Sequence, residues 1–233
     1  MSAEILQLKD FDDFGQVIRK AASILLTGGL VVYPTDTSYG LACDPRISEA
    51  LNKLFAVKKR SHEHGVPLLF SDFNQCTEYH EFGNLERVIA RMFWPGLLTL
   101  VGTANEKVPN HITAGRTSIA ARVPNHDIPR GIARELGAPI VGTSANITGE
   151  PSPFDLGAAR EQLGDGVDLY IDGGPSKSKM NSTIIGVEEE EQGMYHIKVY
   201  REGQLSIQEL GENLKVDADA LRYWTTRIVQ VDM

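Results

Sequence analysis

Hydrophobic residues recur along this chain in two alternating patterns. Short apolar runs are bounded by glycine, proline or polar residues, which is typical of buried strands. Longer stretches carry apolar residues every three or four positions, as expected for one face of a helix. The predicted strands are 5–8, 30–33, 66–70, 97–101, 117–123, 139–142, 167–171, 183–187 and 195–201. The predicted helices are 11–26, 48–57, 85–93, 128–136 and 154–163.

The order of these elements predicts an α/β fold. Helices and strands alternate early in the chain and strands crowd late, with no repeat or low-complexity tract. We therefore expect a single domain, residues 5–210, on one large twisted mixed β-sheet flanked by helices. Residues 211–233 are expected to form a helix and a strand docked on the same domain. Their apolar residues are Leu214, Leu221, Tyr223 and Trp224.

Composition narrows the possible partners and compartments. The 233 residues carry a net charge of −8, which argues against a surface coated in positive charge for non-specific nucleic-acid binding, although a local basic groove remains compatible. Two cysteines, Cys43 and Cys76, are too few for a disulfide framework or a four-cysteine metal site. No basic, apolar leader opens the chain, and no run approaches the roughly 20 apolar residues of a membrane span. We expect a cytoplasmic protein with no membrane partner.

A polar loop directly follows the apolar strand 30–33. Residues 35–41 hold four hydroxyl side chains and one carboxylate, Asp36. Buried hydroxyl groups need hydrogen-bond partners, so a loop this polar is unlike a core segment. Its position after a strand predicts that it faces a ligand cleft.

Two cations, Lys58 and Arg60, follow the helix 48–57. On a continuing helix they would diverge by roughly 200°, so they can meet one ligand only if the helix has ended by Lys58. One interpretation is that they neutralise a phosphate. The other is that they only complement the negative end of the helix dipole.

Two further segments place polar groups beside strands. Residues 143–146, Thr-Ser-Ala-Asn, follow the strand 139–142 and are typical either of a turn or of a polar pocket wall. Arg122 lies within an apolar strand, so it either faces solvent or pairs with an anion. The chain has neither a P-loop pattern nor a G-x-G-x-x-G fingerprint, so a bound nucleotide would be held by scattered groups.

Several spaced motifs together resemble the YrdC-like threonylcarbamoyl-AMP synthase family. Residues 33–41, Tyr-Pro-Thr-Asp-Thr-Ser-Tyr-Gly-Leu, are similar to the family signature P-T-[DE]-T-x-Y-G-L, and the K-x-R and S-x-N pairs fall at Lys58–Arg60 and Ser144–Asn146. Further landmarks are residues 93–96, 119–124, 182–185 and 201–203. The resemblance implies a fold with a concave ligand-binding surface. It also implies a nucleotidyltransferase that joins L-threonine, bicarbonate and ATP into threonylcarbamoyl-AMP and pyrophosphate, for threonylcarbamoyl-adenosine modification of tRNA.

The resemblance also implies roles for individual residues. The implied catalytic residues are Lys58, Arg60, Ser144 and Asn146. The implied ATP-binding residues are Arg60, His64, Ser118, Ser144, Ser152 and Arg201. The implied threonine-binding residues are Thr37, Arg122, Gly142 and Ser182. Mg²⁺ is expected to be carried with ATP, and no metal site on the protein is expected.

One segment departs from the family pattern. Most relatives have Asn or Lys where His64 falls in an ungapped match, and a two-residue insertion would instead restore the pattern at Pro67–Leu68. This departure motivates one alternative, a paralogue with little synthase activity. An alternative from another class is an RNA-binding module for tRNA or double-stranded RNA. For the synthase, downstream threonylcarbamoyl-transfer proteins are the expected protein partners.

Overall fold

The computed structural model describes residues 3–189, 195–216 and 226–230. The helices in these ranges are α1 (Gly15–Leu26), α2 (Ser48–Lys58), α3 (Phe73–Thr77), α4 (Asn84–Phe93), α5 (Asn110–Thr113), α6 (Asp127–Leu136), α7 (Leu156–Leu163) and α8 (Ile207–Val216). All five predicted helices are present, whereas α3 and α5 are too short to produce a periodic pattern. α1 begins at Gly15, later than predicted, because a 3₁₀ turn and a loop precede it and Asp13 Oδ1 accepts from the Gly15 amide at 3.0 Å.

The described strands are β1 (Glu4–Gln7), β2 (Val31–Tyr33), β3 (Gly40–Ala42), β4 (Leu68–Leu69), β5 (His80–Glu81), β6 (Leu98–Ala104), β7 (Ser118–Arg122), β8 (Ile140–Val141), β9 (Thr143–Ser144), β10 (Leu169–Asp172), β11 (Thr183–Glu189), β12 (Tyr195–Arg201) and β13 (Thr226–Gln230). Every predicted strand is present. The short strands β3, β5 and β9 were not predicted.

Strand pairing produces two sheets. The first has the order β1-β10-β2-β3-β9, and the second has the order β13-β12-β11-β6-β7-β4-β8 with β5 paired to β6. Both mix parallel and antiparallel pairs. The predicted α/β fold with mixed pairing and flanking helices is confirmed, although the expected single sheet is divided in two.

The two sheets meet at one short segment, residues 140–144. Its first half, β8, pairs with β4 of the second sheet, and its second half, β9, pairs with β3 of the first. Gly142 lies between them, and a Cβ built there would come within 2.2 Å of Leu69 Cγ. Only glycine lets the chain pass between the sheets at this point without displacing that side chain.

The C-terminal part joins the second sheet. β13 pairs in parallel with β12, and α8 spans the predicted boundary at residue 210. Leu214 of α8 is buried, while Leu221, Tyr223 and Trp224 lie outside the described residues. None of the helices in the described ranges has the length and apolar character needed to cross a membrane.

Candidate active site

A cavity of about 710 Å³ opens where the two sheets meet. Nine of the residues implied by the motifs line it: Thr37, Arg60, His64, Ser118, Arg122, Gly142, Ser144, Ser182 and Arg201. Lys58, Asn146 and Ser152 do not line it. Segments far apart in sequence therefore converge on one space, at the strand ends where the polar loop was predicted to lie.

The hydroxyl groups of the loop after β2 hold it in place through hydrogen bonds. Thr35 Oγ1 donates to the Ser38 carbonyl at 2.6 Å and accepts from the Thr37 amide at 2.9 Å. The Tyr39 hydroxyl donates to the Gly174 carbonyl at 2.7 Å and accepts from the Gly173 amide at 3.0 Å. The loop is buried as well as polar, because it pairs internally and with residues 173–176 as it lines the cavity.

Arg122 is paired with an anion inside the protein. Its Nη2 donates to Asp36 Oδ1 at 2.7 Å, its Nη1 to Thr37 Oγ1 at 2.9 Å and its Nε to the Gly96 carbonyl at 2.8 Å. Burial lowers the pKa of Arg122, and the Asp36 carboxylate opposes that shift. Asp36 also accepts from the Asn125 amide at 3.0 Å. Sequence reasoning assigned no role to Asp36, although it is the single carboxylate of the loop.

Lys58 lies behind the cavity wall instead of in it. Helix α2 ends at Lys58 because Lys59 adopts a left-handed conformation with φ of 50°. Lys58 as a whole residue is 2% exposed, and its Nζ donates to the carbonyl oxygens of Ser144 and Asn146 at 2.5 and 2.6 Å. Burial, with a smaller effect of Arg60, lowers the pKa of Lys58 to about 7. The helix end was predicted correctly, but Lys58 and Arg60 do not converge on the cavity.

Arg60 and His64 place two cationic or ionisable groups on the cavity wall. Arg60 Nη2 donates to the Gly65 carbonyl at 2.8 Å, and burial lowers the pKa of Arg60. His64 is exposed and lines the cavity, whereas His62 packs its ring edge-on against Phe55 at 4.5 Å. Of these two histidines, only His64 is therefore placed to contact a ligand in the cavity.

The Ser144–Asn146 turn is closed by side-chain bonds. Ser144 Oγ donates to Asn146 Oδ1 at 2.5 Å, and Asn146 Nδ2 donates to the carbonyl oxygens of Ile147 and Glu150. Asn146 thus shapes the turn that presents Ser144 to the cavity. Ser152 is one hydrogen bond away from the wall, because its hydroxyl accepts from Nδ2 of the lining residue Asn181 at 3.0 Å.

Ser182 and Arg201 form another part of the cavity wall. Arg201 Nη2 donates to the Ser182 carbonyl at 2.9 Å and to its hydroxyl at 3.2 Å, and Ser182 Oγ also bonds Thr99 Oγ1 at 2.9 Å. A Cβ on Gly203 would come within 2.2 Å of the Asn181 carbonyl oxygen. Because any larger side chain would clash with this oxygen, residue 203 has to be glycine.

Tyr33 and Arg116 are among the lining residues to which sequence reasoning assigned no role. Tyr33 is fully buried, its hydroxyl has no hydrogen-bond partner among the described residues, and burial raises its pKa. Its ring lies over Gly40, where a Cβ would come within 2.6 Å of Tyr33 Cζ. Arg116 stands two residues before Ser118, and this proximity to a predicted site residue was the one indication in the sequence that Arg116 lies near the site.

The cavity is electropositive inside an acidic protein. Four arginines line it, Arg60, Arg116, Arg122 and Arg201, whereas no Asp or Glu of the described ranges does. Of these four arginines, only Arg122 has a carboxylate partner among the described residues. The remaining positive charge contrasts with the net charge of −8 and is suited to a polyanionic ligand.

Comparison with known proteins identifies the family. The family model Sua5/YciO/YrdC, described as telomere recombination, matches residues 23–203. The chain belongs to the Sua5/YciO/YrdC family. Within it, the chain is similar to the threonylcarbamoyl-AMP synthase of Idiomarina loihiensis, with 37% identity over 66% of this chain and 84% of that protein.

Other family members extend the similarity over almost the whole chain. A putative threonylcarbamoyl-AMP synthase of Mycobacterium tuberculosis is 32% identical over 94% of this chain and 98% of its own length. The structure of Pyrococcus abyssi Sua5 complexed with L-threonine matches with a TM-score of 0.81 and 28% identity, covering 97% of this chain. This chain spans 63% of the Pyrococcus protein.

Proposed function

We propose that this chain catalyses the formation of threonylcarbamoyl-AMP and pyrophosphate from L-threonine, bicarbonate and ATP. The observation that carries the proposal is the single cavity in which the motif residues implied for the nucleotide and for threonine meet. Its arginines, and the absence of carboxylates among the described residues that line it, suit a triphosphate. The similarity to proteins named threonylcarbamoyl-AMP synthase favours this function over an RNA-binding module or an inactive paralogue.

In the proposed reaction, the threonine amine forms a C–N bond to the bicarbonate carbon and water leaves, which gives a carbamate. An oxygen of this carbamate then attacks the α-phosphorus of ATP. The bond from the α-phosphorus to the bridging oxygen breaks, and its electron pair leaves with pyrophosphate. No covalent protein intermediate is required. The protein acts by positioning the two ligands and by stabilising negative charge.

The residues divide between two adjacent subsites. Arg122, oriented by Asp36 and Gly96, and the hydroxyls of Thr37 and Ser182 would bind L-threonine. Arg60, Ser118, Ser144 and Arg201 would bind ATP, with His64 at the exposed side of the wall. Lys58 and Asn146 would act on the nucleotide through the turn that they hold, and Ser152 through Asn181.

Mg²⁺ would enter with the triphosphate. The described residues contain no group of three His, Cys, Asp or Glu side chains able to hold a metal ion, and the cavity has no lining carboxylate. The described side chains around the cavity therefore do not fit a resident metal site, and no step of the proposed reaction depends on one. We further propose that the product passes to threonylcarbamoyl-transfer proteins acting on tRNA, and that the protein works in the cytoplasm.

The test is an omission experiment on pyrophosphate release. The complete mixture of ATP, L-threonine and bicarbonate should release pyrophosphate and yield a product with the mass of threonylcarbamoyl-AMP. Leaving out either threonine or bicarbonate should abolish both signals. Pyrophosphate release that continues without threonine would show that the chain adenylylates some other acceptor.

A further inference from the structure

Arg116 is a cation of the cavity wall that no motif explains. Its side chain is exposed and lines the cavity, and the described residues offer its guanidinium neither a hydrogen bond nor an ion pair. The other three lining arginines differ, because Arg60 bonds Gly65, Arg122 bonds Asp36 and Arg201 bonds Ser182. Arg116 therefore presents all of its donors to whatever enters the cavity.

The backbone that carries Arg116 is well defined. Ala114 and Gly115 both adopt positive φ, 51° and 77°, which turns the chain sharply after α5. The Gly115 amide donates to the Asn110 carbonyl and the Arg116 amide to the Thr113 carbonyl, both at 3.2 Å. β7 then begins at Ser118, so a formed turn and a strand fix the position of Arg116 from both sides.

The Arg116 loop is also joined to the loop that carries Arg60. The Val66 amide donates to the Ile112 carbonyl at 3.0 Å, and a Cβ on Gly65 would lie 3.1 Å from the same oxygen. Arg60 in turn donates to the Gly65 carbonyl. The two arginines therefore stand on loops that contact each other, and both line the cavity.

We infer that Arg116 binds the β- and γ-phosphates of ATP and then the pyrophosphate that leaves. The inference rests on the proposed function. A guanidinium with free donors matches phosphate oxygens in a two-point contact, and it suits the most highly charged part of the substrate. As the bond between the α-phosphorus and the bridging oxygen breaks, negative charge accumulates on pyrophosphate, and Arg116 stabilises that charge.

Isothermal titration at a fixed Mg²⁺ concentration tests the inference with three probes: inorganic pyrophosphate, a non-hydrolysable ATP analogue and AMP. Arg116→Ala should weaken binding of the first two by about tenfold or more, the loss expected for a charge-assisted contact. AMP lacks the β- and γ-phosphates, so its affinity should stay unchanged. Arg116→Lys should recover part of the loss, because it restores the charge but not the two-point contact.

Arg91→Ala is the matched control, since Arg91 is an exposed arginine of α4 whose guanidinium lies over the Phe73 ring, away from the cavity. It should leave all three affinities unchanged. Unchanged pyrophosphate affinity in Arg116→Ala, an equal loss for AMP, or no pyrophosphate binding by the unmodified protein would overturn the inference. These titrations need no turnover, so their failure is distinct from failure to form threonylcarbamoyl-AMP.

Discussion

Arg122 makes three different side-chain hydrogen bonds from one guanidinium. Nε, Nη1 and Nη2 reach the Gly96 carbonyl, Thr37 Oγ1 and Asp36 Oδ1, and the residue is only 5% exposed. These bonds leave two guanidinium hydrogens for a ligand, because five N–H groups are available. A carboxylate entering the cavity beside Thr37 would therefore meet a donor that is already oriented.

Arg122→Lys should weaken L-threonine binding by about ten- to a hundredfold, because one ammonium group cannot reproduce the planar fork. Binding of an ATP analogue should change much less, since Arg60, Arg116 and Arg201 remain. Isothermal titration of both ligands measures the two effects. Arg130→Lys is the control, because Arg130 bonds the Ser71 carbonyl outside this cavity. Equal losses for both ligands in a folded variant would argue against the threonine assignment.

At the scale of elements, the end of α2 supports the turn at 144–146. Thr148 donates its amide to the Lys58 carbonyl at 2.8 Å, while Lys58 Nζ donates to two carbonyl oxygens of the turn. A motif that sequence reasoning assigned to the ligand is thus also a connection between a helix and a strand end. Loss of the connection that Lys58 makes would displace Ser144, although Lys58 itself does not line the cavity.

Lys58→Met should lower the free energy of unfolding by about 1–3 kcal/mol, because buried carbonyl oxygens lose their donor. The folded-state pKa of about 7 lies below the ordinary lysine value of about 10.4, so the unfolded chain binds more protons between these values. The unmodified protein should therefore gain stability relative to Lys58→Met as pH rises from 7 to 10. The gain is at most about 1.4 kcal/mol per pH unit. Below pH 7 both states are protonated and the difference should level off.

Urea unfolding at pH 6, 7, 8 and 9 measures this difference. Lys53→Met is the matched control for lost donors, because Lys53 is an exposed lysine of α2 with one carbonyl acceptor, Gly28, at 3.1 Å. It should cost less stability than Lys58→Met. Stability curves for the unmodified protein and Lys58→Met that stay parallel from pH 6 to 9 would contradict the proposed titration of Lys58.

For the whole molecule, the central feature is that both sheets contribute to one cavity. The loop after β2 belongs to the first sheet, while Ser118, Ser182 and Arg201 stand on or beside strands of the second. Ligands bound side by side here would order the same walls. Adjacent ligands that share ordered segments bind with positive coupling, typically 1–3 kcal/mol.

A non-hydrolysable ATP analogue should therefore tighten L-threonine binding, and threonine should tighten binding of the analogue by the same factor. Isothermal titration of each ligand with and without the other measures this coupling. L-Serine should bind more weakly than L-threonine by about 1 kcal/mol, because it lacks a methyl group. Independent binding of the two ligands, or equal affinity for serine and threonine, would indicate a different pair of substrates.

The sequence by itself determined the order of the elements and nine of the residues that line the cavity. Strand and helix patterns depend on side chains close along the chain, so the long elements could be predicted, whereas the short β3, α3 and α5 could not. Nine of the residues that the spaced motifs singled out line the cavity, because glycine, proline and hydroxyl groups at fixed spacing mark the segments that meet there.

Only the tertiary structure decided how those residues are used. Arg122 pairs with Asp36 across 86 positions, and Lys58 reaches the Ser144 and Asn146 carbonyls across 86 and 88. The division into two sheets depends on the 140–144 segment changing partners at Gly142. The exposure of Arg116 to the cavity likewise depends on a turn packed against the Gly65 loop. These pairings join residues far apart in the chain, and local patterns of polarity carry no information about which distant acceptor a donor will reach.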